Sequence, residues 1–142
     1  MNAVCERTVV TASVVAEDDR LEFLPKHLTL PAMRRFEATL FGWMSTLCKS
    51  YTGGYWEAME LSNGGFFMYP TIQEKTSFEL VNHGNSFRGS LTAEAAGIVV
   101  TLYTLNELFL TRGGDSLEEK RRALREYAEG HSEAAVIRKA IS

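Results

Sequence analysis

Positive charge is scarce in this 142-residue chain: Lys and Arg number 15 against 18 Asp and Glu, a formal net charge of −3. That excludes the basic stripe with which a protein holds phosphates through counterion release. The imbalance is also far too small for a mimic of DNA, which must copy a dense array of one sign. Cysteine is scarce as well. Cys5 and Cys48 are the only two; distant and without a secretory leader, they read as reduced thiols of a cytoplasmic protein and not as a disulfide framework. The opening "MNAVCERTVV" has no basic segment followed by a long apolar one. Long hydrophobic runs are missing too. The longest, Ala95–Val100, is broken by Gly97 and is too short to cross a membrane. What is present, 45% hydrophobic and 23% charged residues, suits one globular domain with its own core.

The pattern along the chain predicts α+β architecture: a small antiparallel β-meander of three to four strands packed with about four to five α-helices, in a single domain over residues 1–142. Residues 1–8 are expected to fray, and Val9–Val15 to hold a short strand. Asp18 or Asp19 can cap a short helical turn that ends before Pro25. Pro31 opens a helix in which Met33, Phe36, Leu40, Trp43, Met44 and Leu47 recur at three- and four-residue steps. In "GGYWEAMELSNGGFFMYP", Asn63-Gly64 predicts a two-residue hairpin turn. Tyr55, Met59, Leu61, Phe66 and Met68 then face the core, and Trp56, Ala58, Glu60, Phe67 and Tyr69 face away. A loop that takes in Gly65 swaps the faces of the second strand. Thr76–Val81 alternates as a third strand, and a fourth runs through Phe87. From Thr92, a plausible N-cap, a helix is apolar almost all round. Its small residues Gly97, Thr101 and Thr104 form a stripe that lets another backbone approach. Gly113-Gly114 ends it, Ser116 and Glu119 are spaced as a capping box for the next helix, Gly130 stops that one, and Ser132 caps the last.

Chemistry-bearing constellations are few. His27, His83 and His131 lack partners at zinc-ligand spacing. No nucleophile elbow is present, and the Gly-Gly pairs lack the Lys-Ser/Thr of a phosphate loop. No catalytic residue, metal ligand or cofactor is assigned. Trp56, Phe67 and Tyr69 can be imagined stacking on bases, helped by the basic cluster Lys120, Arg121, Arg122 and Arg125. The neighbouring carboxylates Glu57, Glu60 and Glu74, and the glutamates interleaved with the basic cluster, argue against direct DNA binding. They favour packed rings and a solvated helix face. A small-molecule site around His83, Arg88 and Glu94 is a third reading with little behind it.

Three blocks, "YTGGYWEAMELSNGGFFMYP", "GNSFRGSLTAEAAGIVVTLYTLNEL" and "LREYAEGHSEAAVIRKAI", with the earlier "VTASVVAEDDRLEFLP", resemble the signature blocks of the ArdB/KlcA antirestriction family, in order and over nearly the whole chain. The resemblance implies a small α+β protein of plasmids and other mobile elements. It implies relief of type I restriction–modification of incoming DNA without catalysis, cofactor or DNA mimicry, through contact with the restriction enzyme or a host factor linked to it. No membrane is involved, and nothing in the sequence sets the oligomeric state. Two departures stand out. Ser132 occupies a position where many members have Pro, and the chain ends Ile141-Ser142 where many end Ile-Asp. Most residues shared with the family are glycines and aromatics already assigned to turns and packing. The candidate partner contacts are Trp56 and Tyr69 from the hairpin and the polar Arg88, His131 and Glu133. The competing structural reading pairs Arg88 with a local carboxylate and makes His131 a helix cap.

Overall fold

The computed structural model describes residues 9–71 and 77–142; the expected fraying of residues 1–8, Cys5 and the strand start at Thr76 lie outside them. In chain order the elements are β1 (Ala12–Val14), α1 (Arg20–His27, entered through a 3-10 turn at Glu17–Asp19), α2 (Leu30–Leu47), β2 (Trp56–Leu61), β3 (Phe66–Pro70), β4 (Ser77–Asn82), β5 (Phe87–Thr92), α3 (Ala93–Arg112), α4 (Asp115–Glu129) and α5 (Ala134–Ile141). The α+β expectation holds. The strands, however, divide between two antiparallel sheets, β1-β2-β3 and the hairpin β4-β5, and do not run on as one meander.

The hairpin register is where sequence reasoning and structure part. Leu61 N–H donates to the Gly65 carbonyl (2.9 Å), and Glu60 pairs with Phe66, Met59 with Phe67 and Ala58 with Met68. The turn is therefore the three-residue loop Ser62-Asn63-Gly64, with only Gly64 at positive φ (91°), a common alternative to the two-residue turn. The one-residue slip puts Trp56, Ala58, Glu60, Phe66 and Met68 on one face, and Met59, Leu61, Phe67 and Tyr69 on the other. Tyr55, expected inside, is 54% exposed. Its hydroxyl accepts from Arg20 Nη1 (2.7 Å).

Both faces of this sheet are covered, so β2 and β3 are apolar nearly throughout. On one side Phe66 meets Phe23, His27 and Phe36 of α1 and α2, at centroid distances of 5.3, 4.8 and 5.6 Å, and Trp56 meets Phe41 (5.5 Å). On the other, Phe67 stacks on Tyr127 of α4 (5.7 Å). The outer edge of β3 is closed by α3. The Thr101 hydroxyl accepts from the Met68 N–H (3.3 Å) and reaches the Met68 carbonyl (3.4 Å), all within the core. A strand edge without such partners bears unpaired polar groups and invites association. The small-residue stripe makes this approach possible: a Cβ on Gly97 would overlap Tyr69 Cβ and the Met68 carbonyl, and would sit 2.6 Å from Tyr69 Cα.

The core helix α3 has the length and hydropathy of a marginal membrane span (Ala93–Thr111, mean hydropathy 1.3), but 61% of that window is buried within the fold. It lies against α2, β3, β4, β5, α4 and α5, which accounts for its all-round apolar surface.

Other boundaries correct the sequence reading. Pro25 lies inside α1, not beyond it. The carbonyl deprived of its partner belongs to Leu21, which is 91% exposed and so open to water. α4 begins at Asp115 with Gly114 as N-cap and no side-chain cap, so the Ser116/Glu119 box does not form. Glu133, not Ser132, is the N-cap of α5. Thr92 does cap α3, accepting from the Ala95 N–H (3.3 Å).

Two glycines in helices should respond oppositely to alanine. Gly97→Ala forces α3 off a backbone that cannot yield, and should cost about 2 kcal/mol or more. Gly42 in α2 has open space at its Cβ position, so Gly42→Ala should stabilise by roughly 0.5–1 kcal/mol. Urea midpoints of the two variants against the parent check both signs.

Candidate functional surface

The α4–α5 connection folds back onto the first turn of α3 and holds it with two carboxylates. His131 Nδ1 accepts from the Glu133 N–H (3.0 Å). This leaves the proton on Nε2, which donates to Glu94 Oε1 (2.8 Å). Glu133 Oε1 accepts from the Thr92 N–H (3.1 Å), and Oε2 takes the Thr92 hydroxyl. Both acids thus sit at the start of α3, where the helix dipole favours negative charge. The tyrosines border this clamp. The Tyr127 hydroxyl points to Glu94 (3.5 Å), its ring lies edge-on to His131 (6.1 Å), and Tyr69 faces Glu57 across the β2–β3 register.

The electrostatics make these phenols poor acids. Burial raises the Tyr69 hydroxyl above its ordinary value, and the charges of Glu57 and Glu94 add to that. Burial likewise raises Tyr127, with Glu94 again adding. Both remain protonated hydrogen-bond donors at neutral pH. His131 has both ring nitrogens engaged in hydrogen bonds within the protein. The patch is an acidic, aromatic surface of partly buried side chains, suited to holding a basic protein surface and unsuited to phosphates.

The sequence-derived candidates therefore separate. Tyr69, His131 and Glu133 come together around the start of α3. Trp56 does not join them: it is 3% exposed, packed under α2 with its indole N–H on the Tyr51 hydroxyl (2.9 Å), and so is core and not a docking ring. Arg88 lies on the exposed side of β5 and pairs with Glu79 (3.6 Å). His83 is in the exposed β4–β5 turn, Glu94 belongs to His131, and the imagined His83–Arg88–Glu94 site is not assembled.

A second histidine network lies across the sheet, and the helical pattern gave no sign of it. His27, at the end of α1, holds Glu60 Oε2 through Nε2 (2.7 Å). Lys120 donates to His27 Nδ1 (3.0 Å) and to the Gly64 carbonyl (2.7 Å), and Lys26 meets Glu60 (3.0 Å). Lys120, expected on the solvated side of α4, thus pins the hairpin turn. Arg121 and Arg122 both bind Glu118 (2.8 and 3.1 Å). Most of the basic cluster is tied up within the protein.

These features define a small α+β protein whose polar side chains hold helices together around a sheet, with an acidic aromatic face left at the surface. The family model described as "Antirestriction protein" matches residues 49–142. An antirestriction protein KlcA of Escherichia coli is 45% identical over 136 residues, covering 93% of this chain and 94% of the relative. An uncharacterized protein YfjX of E. coli K12 is 33% identical over 133 residues, covering 93% and 88%. A solved structure of the KlcA and ArdB proteins superposes with a TM-score of 0.86 at 44% identity, covering 100% of both chains. It was described as a novel fold with antirestriction activity against type I DNA restriction systems in vivo but not in vitro. The chain belongs to the antirestriction protein family.

The His27 network sets a pH dependence. Burial lowers the His27 pKa from its ordinary 6.5, against the upward pull of Glu60, with Lys120 and Lys26 adding to the lowering. At Glu60 burial pushes upward, but the hydrogen bonds from His27 and Lys26 and their charges outweigh it and the net direction is down. Both groups favour the deprotonated form in the fold, so their stabilisation is complete above the unfolded values. The His27 part is lost first, as pH falls below 6.5, and the Glu60 part below the ordinary carboxylate value of 4.5. Urea midpoints measured between neutral pH and pH 5 should fall for the parent and fall less for His27→Gln. Parallel curves would remove His27 as the cause.

Proposed function

We propose that this protein relieves type I restriction of incoming DNA, acting in the cytoplasm as a non-catalytic antirestriction protein through protein–protein contact. The observation that carries the reading is the match over the full length, at 44% identity and a TM-score of 0.86, to a protein with that activity in vivo but not in vitro. Activity that needs the cell argues for a route through a host factor, or through a state of the restriction enzyme found only in the cell. The acidic aromatic surface at Glu57, Tyr69, Glu94 and Tyr127 is the contact face this reading favours. It supports a partner with a basic surface, and Arg88 is a peripheral contact at most. Direct nucleic-acid binding is disfavoured because Lys120, Arg121 and Arg122 already have partners within the protein.

Expression in a host carrying a type I system should raise the plating of unmodified phage. The purified protein should leave DNA cleavage by the purified restriction enzyme unchanged. No rise in plating overturns the function, and inhibition in the purified assay overturns the indirect route. Glu57→Lys should reduce protection at least about tenfold, since reversing one charge in a complementary interface costs on the order of 1.4 kcal/mol or more, while its urea midpoint stays near that of the parent. Full protection by Glu57→Lys would move the contact elsewhere.

A further inference from the structure

A cavity of about 140 Å³ opens between α3, α4 and α5. Leu102, Tyr103 and Asn106 of α3, Arg121 and Arg125 of α4 and Ile141 of α5 line it. Arg121 and Arg125 are four residues apart and so stand on one face of the helix, where like charges repel. Among the described residues the acids of α4 answer that repulsion at Arg121 alone, through Glu118. Glu118 serves both Arg121 and Arg122, Glu126 accepts from Asn63, and Glu129 pairs with Arg138. Arg121 uses Nε and Nη2 on Glu118, so Nη1 is uncommitted among the described residues. Arg125 has no ion pair there and the Asn106 carboxamide no hydrogen bond, among those same residues. The other walls are apolar in effect. The Tyr103 hydroxyl donates to the Ala140 carbonyl (2.6 Å) and accepts from Asn82 Nδ2 (2.7 Å), and with one face of the ring stacked on Trp43 (4.7 Å) the rest of it lines the cavity beside Leu102 and Ile141.

We propose that this cavity is a binding site for a small organic carboxylate with a short aliphatic body. The anionic head lies between the Arg121 and Arg125 guanidiniums and takes a further hydrogen bond from Asn106. The aliphatic part rests on Leu102, Tyr103 and Ile141. Paired guanidiniums favour a planar carboxylate because their N–H groups match its two oxygens. The cavity accommodates a body of a few carbons and not a nucleotide. Filling it ties the C-terminal end of α5 to the middle of α3 and of α4.

The probe is sodium butyrate, titrated into the isotope-labelled full chain at neutral pH, with sodium chloride at equal ionic strength as the control. The expected result is a saturable shift of the Asn106 side-chain amide and the Ile141 methyl signals with millimolar affinity. Acetate, two methylenes shorter, should bind about tenfold more weakly. Arg125 is exposed, so Arg125→Gln should keep the parent spectrum elsewhere while weakening butyrate at least about fivefold. Asn106→Ala should weaken it with both guanidiniums still in place. Shifts that chloride reproduces, equal affinity for acetate and butyrate, or undiminished binding by Arg125→Gln would each overturn the assignment.

Discussion

The contact between α3 and the outer edge of β3 is the constraint from which the rest of this architecture follows. A three-stranded sheet with helices on both faces still has an edge, and in β3 that edge bears the Met68 amide and carbonyl inside the core. Buried backbone groups of this kind must find partners. Thr101 supplies a single hydroxyl for both, and it reaches them only because Gly97, one turn earlier, has no side chain to hold the helix off Tyr69. With α3 fixed there, its remaining surface is necessarily apolar. α2, α4, α5 and the β4-β5 hairpin then gather around it as the elements able to bury that surface.

Side chains that look chemical in the sequence turn out to fasten the elements. His131 and Glu133 secure the start of α3, His27 and Lys120 secure the hairpin turn to α1 and α4, and Asn63 ties the same turn to α4 through the Ala123 carbonyl (2.9 Å) and Glu126 (2.9 Å). Each bond joins residues far apart in the chain, so each restrains long loops that local structure alone would leave free. The two histidines differ in one respect. His131 sits between a backbone amide and a carboxylate at the start of a helix, whereas His27 is packed among Phe23 and Phe66. Packing against those rings penalises charge on His27.

The sequence made much of this legible. Helical periodicity found α2 and α3, the Thr92 cap and the Gly113 and Gly130 stops are where composition puts them, and the small-residue stripe marked the close approach before its partner was known. The failures share a cause. Asn63-Gly64 suits a two-residue turn, but Asn63 is drawn to α4 and Gly65 packs against Ala123, so tertiary contacts choose the longer loop and exchange the faces of β3. Pro25 ends most helices, yet α1 continues because the next turn brings His27 to Glu60. Ser132 and Ser116 have good capping chemistry, but Glu133 and Gly114 occupy the caps. For the hairpin, α1 and the Glu133 cap, a long-range partner invisible to a local pattern accompanies the departure from local preference.

This distribution of bonds bears on how such a protein can act. A general base needs a free lone pair near a cleft. Both nitrogens of His27 and of His131 are already bonded within the protein, and the two phenols beside Glu94 are held protonated. An electrostatic grip on DNA needs cations free to meet phosphates, and in the basic stretch of α4 three of the four already bind Glu118, His27 or a backbone carbonyl. Glu57, Tyr69, Glu94 and Tyr127 form a partly exposed patch of carboxylates and phenols beside the start of α3. They can supply charge complementarity and hydrogen bonds. Under the proposed function this patch is the face that meets a partner, and the effect then depends on what that partner is doing in the cell.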